Sequence, residues 1–124
     1  MLNLALAYKH AGKLDQALAL FRAGAEKDHA EALNGLAWLL ATSSDSAIRD
    51  GRSAVGFAER AVAKEERKKW SSLDTLAAAY AEAGEFAKAA NVQREAISLS
   101  QDEKVKNDLT ARLKLYESNT PFRE

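Results

Sequence analysis

His10 and His29 are the only imidazoles among 124 residues, and there is no cysteine. Zinc and similar metals need three or four nitrogen or sulfur ligands at set spacing, and neither histidine has a second such ligand beside it. His29 follows Asp28 in a loop, and His10 sits near a helix end, where its charge would meet the negative pole of the helix dipole. Ser43, Ser44 and Ser46 cluster without a base nearby. Glu65 and Glu66 are adjacent carboxylates, but Arg67, Lys68 and Lys69 follow at once, which is the pattern of a solvated connection. No phosphate-binding glycine loop and no G-x-S-x-G turn occurs. Lys9, His10, Asp74 and Glu82 are the remaining ionisable candidates for one shared surface. The expectation is a protein that is not an enzyme and uses no metal or cofactor.

The overall charge narrows the partners. Lys and Arg total 18 against 18 Asp and Glu, so no net field draws the chain to nucleic acid or to anionic lipid. The one local cationic run, Arg60, Lys64 and Arg67 to Lys69, is interleaved with Glu59, Glu65 and Glu66, as on an ordinary wet face. The apolar run Leu36 to Ala41 is far shorter than the ~20 residues of a membrane span, and no basic flank or cleavage signal opens the chain. A soluble protein is expected. Its compartment is left open, with the cytoplasm slightly favoured.

The elements follow from composition and periodicity. Alanine makes up roughly a fifth of the chain, and Pro121 is the only proline, so helices are favoured almost throughout and the class is all-α. Apolar residues recur at helical spacing in seven blocks: about 2–10, 15–27, 30–42, 52–64, 70–83, 86–99 and 103–117. Gly12 and Gly84 close two of them, since a residue without Cβ adopts the left-handed C-terminal conformation freely. Asp28 to Glu31 and Ser100 to Glu103 have capping-box spacing and should open the third and seventh helices. Residues 42–50, rich in Ser and Asp, should form a loop with room for one helical turn. Residues 118–124 should be extended.

The blocks repeat. Leu4, Ala5, Tyr8, Gly12, Ala17 and Phe21 reappear as Leu76, Ala77, Tyr80, Gly84, Ala89 and Gln93, and Leu36, Ala37 and Leu40 make a third copy continued by Ala54, Ala58 and Ala61. Two helices approach closely where small residues face each other, and large ones plug the gaps. Ala5, Ala17, Ala37, Ala54, Ala77 and Ala89 are the predicted contacts. Leu4, Tyr8, Phe21, Leu36, Leu76, Tyr80 and Phe86 are the predicted plugs. Each unit is then a hairpin with two faces to bury, which favours stacking into a solenoid with capped ends. Val105, Leu109, Leu113 and Tyr116 give the seventh helix one apolar face, as a cap requires.

These offsets resemble the tetratricopeptide repeat, whose unit of about 34 residues runs Leu, small, Tyr, Gly, Ala, Phe, Ala. The resemblance covers residues 1 to about 101 and is cleanest in the copy carrying Leu73, Leu76, Ala77, Tyr80, Gly84, Phe86, Ala89 and Ala96, where Gln93 replaces the usual aromatic. It implies one α-solenoid domain over 1–117: hairpins of about 1–28, 29–66 and 69–100, then a cap helix of about 101–117.

It also implies a non-catalytic protein-interaction scaffold holding a peptide in its concave groove. Carried over position by position, the groove would hold Asn3, Leu6, Lys9 and His10, then Asn34, Gly35 and Trp38, then Asp74, Ala78 and Glu82, and would be apolar and weakly acidic. Leu2, Leu6, Gly35, Ser71 and Thr75 stand where one subclass has the Lys, Asn and Arg that clamp a chaperone's terminal carboxylate, so that clamp is not expected. Trp38 is either a groove anchor or a core residue tucked under the 42–50 loop. The alternative to a scaffold is a self-assembling module that dimerises through Leu2 and Leu6 on an uncapped first helix. A further alternative is the C-terminal part of a larger multidomain protein.

Overall fold

The computed structural model describes residues 2–124, with side chains from Leu4 onward. Among the described residues there are seven helices and no strand: α1 (Leu2–His10), α2 (Leu14–Glu26), α3 (Ala30–Thr42), α4 (Gly51–Lys64), α5 (Trp70–Glu82), α6 (Phe86–Leu99) and α7 (Glu103–Glu117). The class is all-α. No helix is long and apolar enough to cross a membrane. Each helix packs on its neighbours in the chain, and α3 also packs on α5.

The six alanines predicted as helix contacts are all buried, as are Phe21, Leu36 and Leu76. Ala5, Ala17, Ala37 and Ala54 belong with Phe21, Leu36 and Leu76 to a core that runs from α1 to α7 and fully encloses Leu33, Leu73 and Leu109, while Ala77 and Ala89 pack in a second cluster around Tyr116. A side chain such as Phe21 or Leu36 contributes about 1.5–3 kcal/mol when removed from water, so the alanine stripe matters by letting these plugs in. At Gly35, an added Cβ would press into the Phe21 ring, 2.7 Å from one carbon and 2.8 Å from another. That missing methyl fixes how closely α2 and α3 approach.

Leu4 departs from its copies. Leu36 and Leu76 are buried, whereas Leu4 is 49% exposed, because no described helix lies against α1 on the side that the preceding helix covers in α3 and α5.

Helix endings repeat one device. The amides of Lys13, His29, Arg67, Glu85 and Thr120 donate to the carbonyls of Tyr8, Gly24, Val62, Tyr80 and Leu115, five residues back. In each, the preceding residue has positive φ: Gly12, Asp28, Glu66, Gly84 and Asn119. These are left-handed C-terminal caps that satisfy carbonyls the helix leaves free.

This device corrects the capping box expected at Asp28. Asp28 ends α2 rather than opening α3, whose N-terminal residue His29 makes no side-chain cap. The Asp28 carboxylate instead pairs with Arg60 at 2.9 Å and Lys64 at 2.8 Å on α4. At the seventh helix the cap is Asp102, accepting from the Val105 amide at 3.1 Å, and not Ser100. The loop at 42–50 is present, with a turn at 46–48. It ends in an aspartate cap, Asp50 accepting from the Ser53 amide at 3.2 Å and its hydroxyl at 2.7 Å. Glu65 departs from the solvated reading: its side chain is largely buried, accepts a hydrogen bond from Ser72 Oγ and pairs with Lys69 at 3.1 Å.

Candidate functional site

A cavity of about 510 Å³ opens between α1, α3, α5 and α7. Its walls come from matching positions of the odd-numbered helices: Leu6 and Lys9 of α1, then Asn34, Gly35 and Trp38 of α3, then Ser71, Asp74 and Thr75 of α5. From α7 come Val105, Asp108, Leu109 and Arg112, while Glu31, Glu65 and Lys69 line it elsewhere. Helical periodicity explains the convergence, since residues three and four apart share one face. Asn34 Oδ1 lies buried at this wall without a hydrogen-bond partner among the described residues.

The charged centre of the cavity is Asp74. It is 5% exposed, and burial pushes its carboxyl above the ordinary carboxylate range, against the opposing pull of Arg112 and Gln93. Arg112 Nη1 donates to one carboxylate oxygen at 2.9 Å. Gln93 Nε2 donates to the other at 3.1 Å and to the Leu109 carbonyl at 3.0 Å. A buried carboxylate is tolerated where a charged donor and a neutral amide meet it in this way. Gln93 thus ties α6 to both α5 and α7.

Arg112 also reaches outward. Its guanidinium lies over the Trp38 ring at 5.4 Å and over the Phe122 ring at 4.7 Å, and the two rings tilt together with centroids 5.7 Å apart. Phe122 belongs to the extended tail, which returns across the open end of the groove. The Glu124 amide donates to the Thr42 carbonyl at 2.7 Å. The Glu124 carboxylate accepts from Trp38 Nε1 and pairs with Lys9 at 3.0 Å. Arg123 pairs with Glu82 at 2.6 Å.

Of the residues chosen from sequence, Leu6, Lys9, Asn34, Trp38 and Asp74 line the one cavity. Glu82 sits beside it under the tail, paired with Arg49 as well as Arg123. His10 is exposed and away from the lining. Ala78 is buried in the core. Leu2 and Asn3 lie outside the described side chains. Trp38 is half-buried, with one face on the core and the other under Arg112 and Phe122. No family model, curated protein or solved structure matches the chain.

Sequence reasoning missed Arg112, Phe122 and Glu124. Arg112 borders the apolar face of Val105, Leu109, Leu113 and Tyr116 that marks α7 in the sequence. The available signal was a lone phenylalanine in an otherwise polar tail. With Lys9 and Arg112 in place, the groove has a cationic, aromatic end at Trp38. The lining as a whole, with Glu31, Glu65, Asp74 and Asp108 against Lys9, Lys69 and Arg112, stays weakly acidic in formal charge.

Proposed function

We propose that the chain is a tetratricopeptide-type α-solenoid of three helical hairpins with α7 as its cap. In this reading it works without catalysis, as a scaffold that takes an extended segment of a protein partner into the groove. The observation that carries it is that corresponding positions of α1, α3 and α5 meet at one cavity beside the Trp38 ring. A large, half-buried aromatic at the edge of a cavity offers contact area to a partner. Lys9, Asp74 and Glu82, the groove's candidates for acid–base work, are each held in an ion pair.

The test is selection of ligands from a displayed peptide library, followed by affinity measurement on the chain and on Trp38→Ala. A loss of tenfold or more with helicity unchanged supports the groove. Unchanged affinity with a lowered melting point makes Trp38 a core residue and removes the anchor.

The exposure of Leu4 at 49% and Leu6 at 38% favours a second reading, self-association through α1. Light scattering over a dilution series should then find a dimer that Leu4→Lys abolishes. A monomer throughout removes this reading.

A further inference from the structure

We propose that residues 118–124 occupy the place of a partner segment, and that the partner carries an aromatic side chain two residues before a carboxylate on an extended backbone. This rests on the groove reading above and adds the chemistry of the ligand.

The path of the tail is set locally, but its seat is not. Asn119 turns the chain out of α7 at φ 55°, the Thr120 amide closes the helix on the Leu115 carbonyl at 2.9 Å, and Pro121 holds the next step extended. Beyond that point the partners are 86 residues away in sequence, in Trp38, and further still in Lys9. An extended strand sends alternate side chains to one side. Phe122 and Glu124 therefore face Trp38 together, while Arg123 turns to Glu82.

Each contact is of a kind that an incoming peptide could reproduce. The Thr42 carbonyl lies in the last turn of α3, where no intrahelical amide is available to it, and it accepts the Glu124 amide. The Phe122 ring meets both the tilted Trp38 ring and the Arg112 guanidinium, an aromatic and cationic seat that selects a flat ring. The Glu124 carboxylate meets two donors, the indole N–H and the Lys9 ammonium.

The hold is also light. Glu124 is 44% exposed in its side chain, and its pair with Lys9 is of the surface kind that adds little. Tethering keeps such a weak ligand in place through its high effective concentration, and a partner with the same chemistry must displace it. The apparent affinity of that partner falls by the fraction of chains whose groove is open.

The probe is a synthetic peptide of residues 118–124, Ser-Asn-Thr-Pro-Phe-Arg-Glu, with acetyl and amide ends and a fluorophore, read by anisotropy. The full-length variant Phe122→Ala/Glu124→Gln, whose tail lacks the ring and the charge of these contacts, should bind it at least tenfold more tightly than the unchanged chain. Adding Trp38→Ala should abolish that binding, and a peptide with alanine for phenylalanine should bind neither chain.

Equal binding by the alanine peptide, or no binding by a double variant that keeps its helicity and melting point, overturns the proposal. Should the double variant fail to fold, hydrogen exchange on the unchanged chain decides. Excess peptide should strip protection from the Glu124 amide, and retained protection overturns the proposal.

Library peptides that bind the groove without an aromatic and a carboxylate in this register, leaving Glu124 protected, defeat this inference but not the scaffold reading. A folded double variant that binds neither library nor tail peptide defeats both. A doubled mass lost on Phe122→Ala/Glu124→Gln would mean that tails exchange between copies, which replaces the proposed partner by a second chain.

Discussion

Arg112→Ala is the most informative single change, because it removes a charge that serves both Asp74 and the tail. Breaking a buried ion pair from one side costs about 3–5 kcal/mol, since the other charge is left stranded. The Arg112 side chain is 20% exposed and Asp74 8%, so the lower end, about 3 kcal/mol, is appropriate. Loss of the cation–π contacts to Trp38 and Phe122 adds ~0.5 kcal/mol. A chain of this size has a stability of roughly 6–18 kcal/mol, so the variant should remain folded, with its melting midpoint lowered by about 12 °C. The deficit should depend on pH with a defined sign. Burial raises the Asp74 carboxyl in the folded state, so folding favours its protonated form. That contribution is fully present below the ordinary carboxylate pKa and is lost as pH rises through the folded value. Without the guanidinium the folded value rises further and the window widens. The variant should therefore lose most at neutral pH and recover toward about pH 4, and Asp74→Asn in the same chain should restore more than half of the loss. Urea unfolding at several pH values measures this. A deficit below ~1 kcal/mol, or one independent of pH, would refute the assignment of Asp74 and Arg112 as a buried pair.

Two glycines in helices should respond to alanine with opposite signs. Gly35→Ala gains about 1 kcal/mol of helix propensity but forces the buried Phe21 ring aside, at about 1–3 kcal/mol, so its melting point should fall. Gly56→Ala meets no atom within 4 Å and should raise the melting point by the propensity gain alone; a rise in both would mean that the Phe21 stack yields freely. Asp50→Ala should cost about 1 kcal/mol at neutral pH by loss of the α4 cap. Ser53 holds the Asp50 carboxyl below its usual range, so this contribution is present above the ordinary carboxylate pKa and lost as pH falls through the lowered folded value. Urea midpoints of the two chains should therefore converge in acid.

The parts of the fold that were legible in the sequence are those set by local periodicity. Ala17, Ala54 and Ala89 announce themselves because a small residue recurring at helical spacing has few uses besides close packing, and all three are buried. Gly12 and Gly84 marked helix ends for a similar reason. Asp28 misled because one residue type serves two roles: aspartate is a good N-cap, and it also tolerates the left-handed conformation that ends a helix. Here it takes the second role, with φ 60° closing α2 and its carboxylate paired with Arg60 and Lys64 on α4. Ser100 lost to Asp102 because the carboxylate two residues later is in register with the first free amides. For the candidate site, the positions implied by the tetratricopeptide resemblance include Leu6, Lys9, Asn34, Trp38 and Asp74, which line the cavity. A repeat pattern says nothing of Phe122 or Glu124, which reach Trp38 across most of the chain.

The sequence leaves Trp38 between two roles, groove or core, and the tail shows why neither word suffices. Trp38 rests on the core along one face and takes Arg112 and Phe122 on the other. Arg112 is fixed from beneath by Asp74, which Gln93 in turn binds to the Leu109 carbonyl of α7. The position of the guanidinium over the groove thus depends on how α7 docks on α5 and α6, and the tail issues from the end of that same helix. A ligand that displaces Phe122 uncovers one face of Arg112 but leaves its pair with Asp74 in place. The docking of α7 and the occupancy of the Trp38 seat therefore share one side chain. A buried polar network in a small helical chain costs desolvation that apolar packing avoids; here it holds the Arg112 cation at the wall of the cavity.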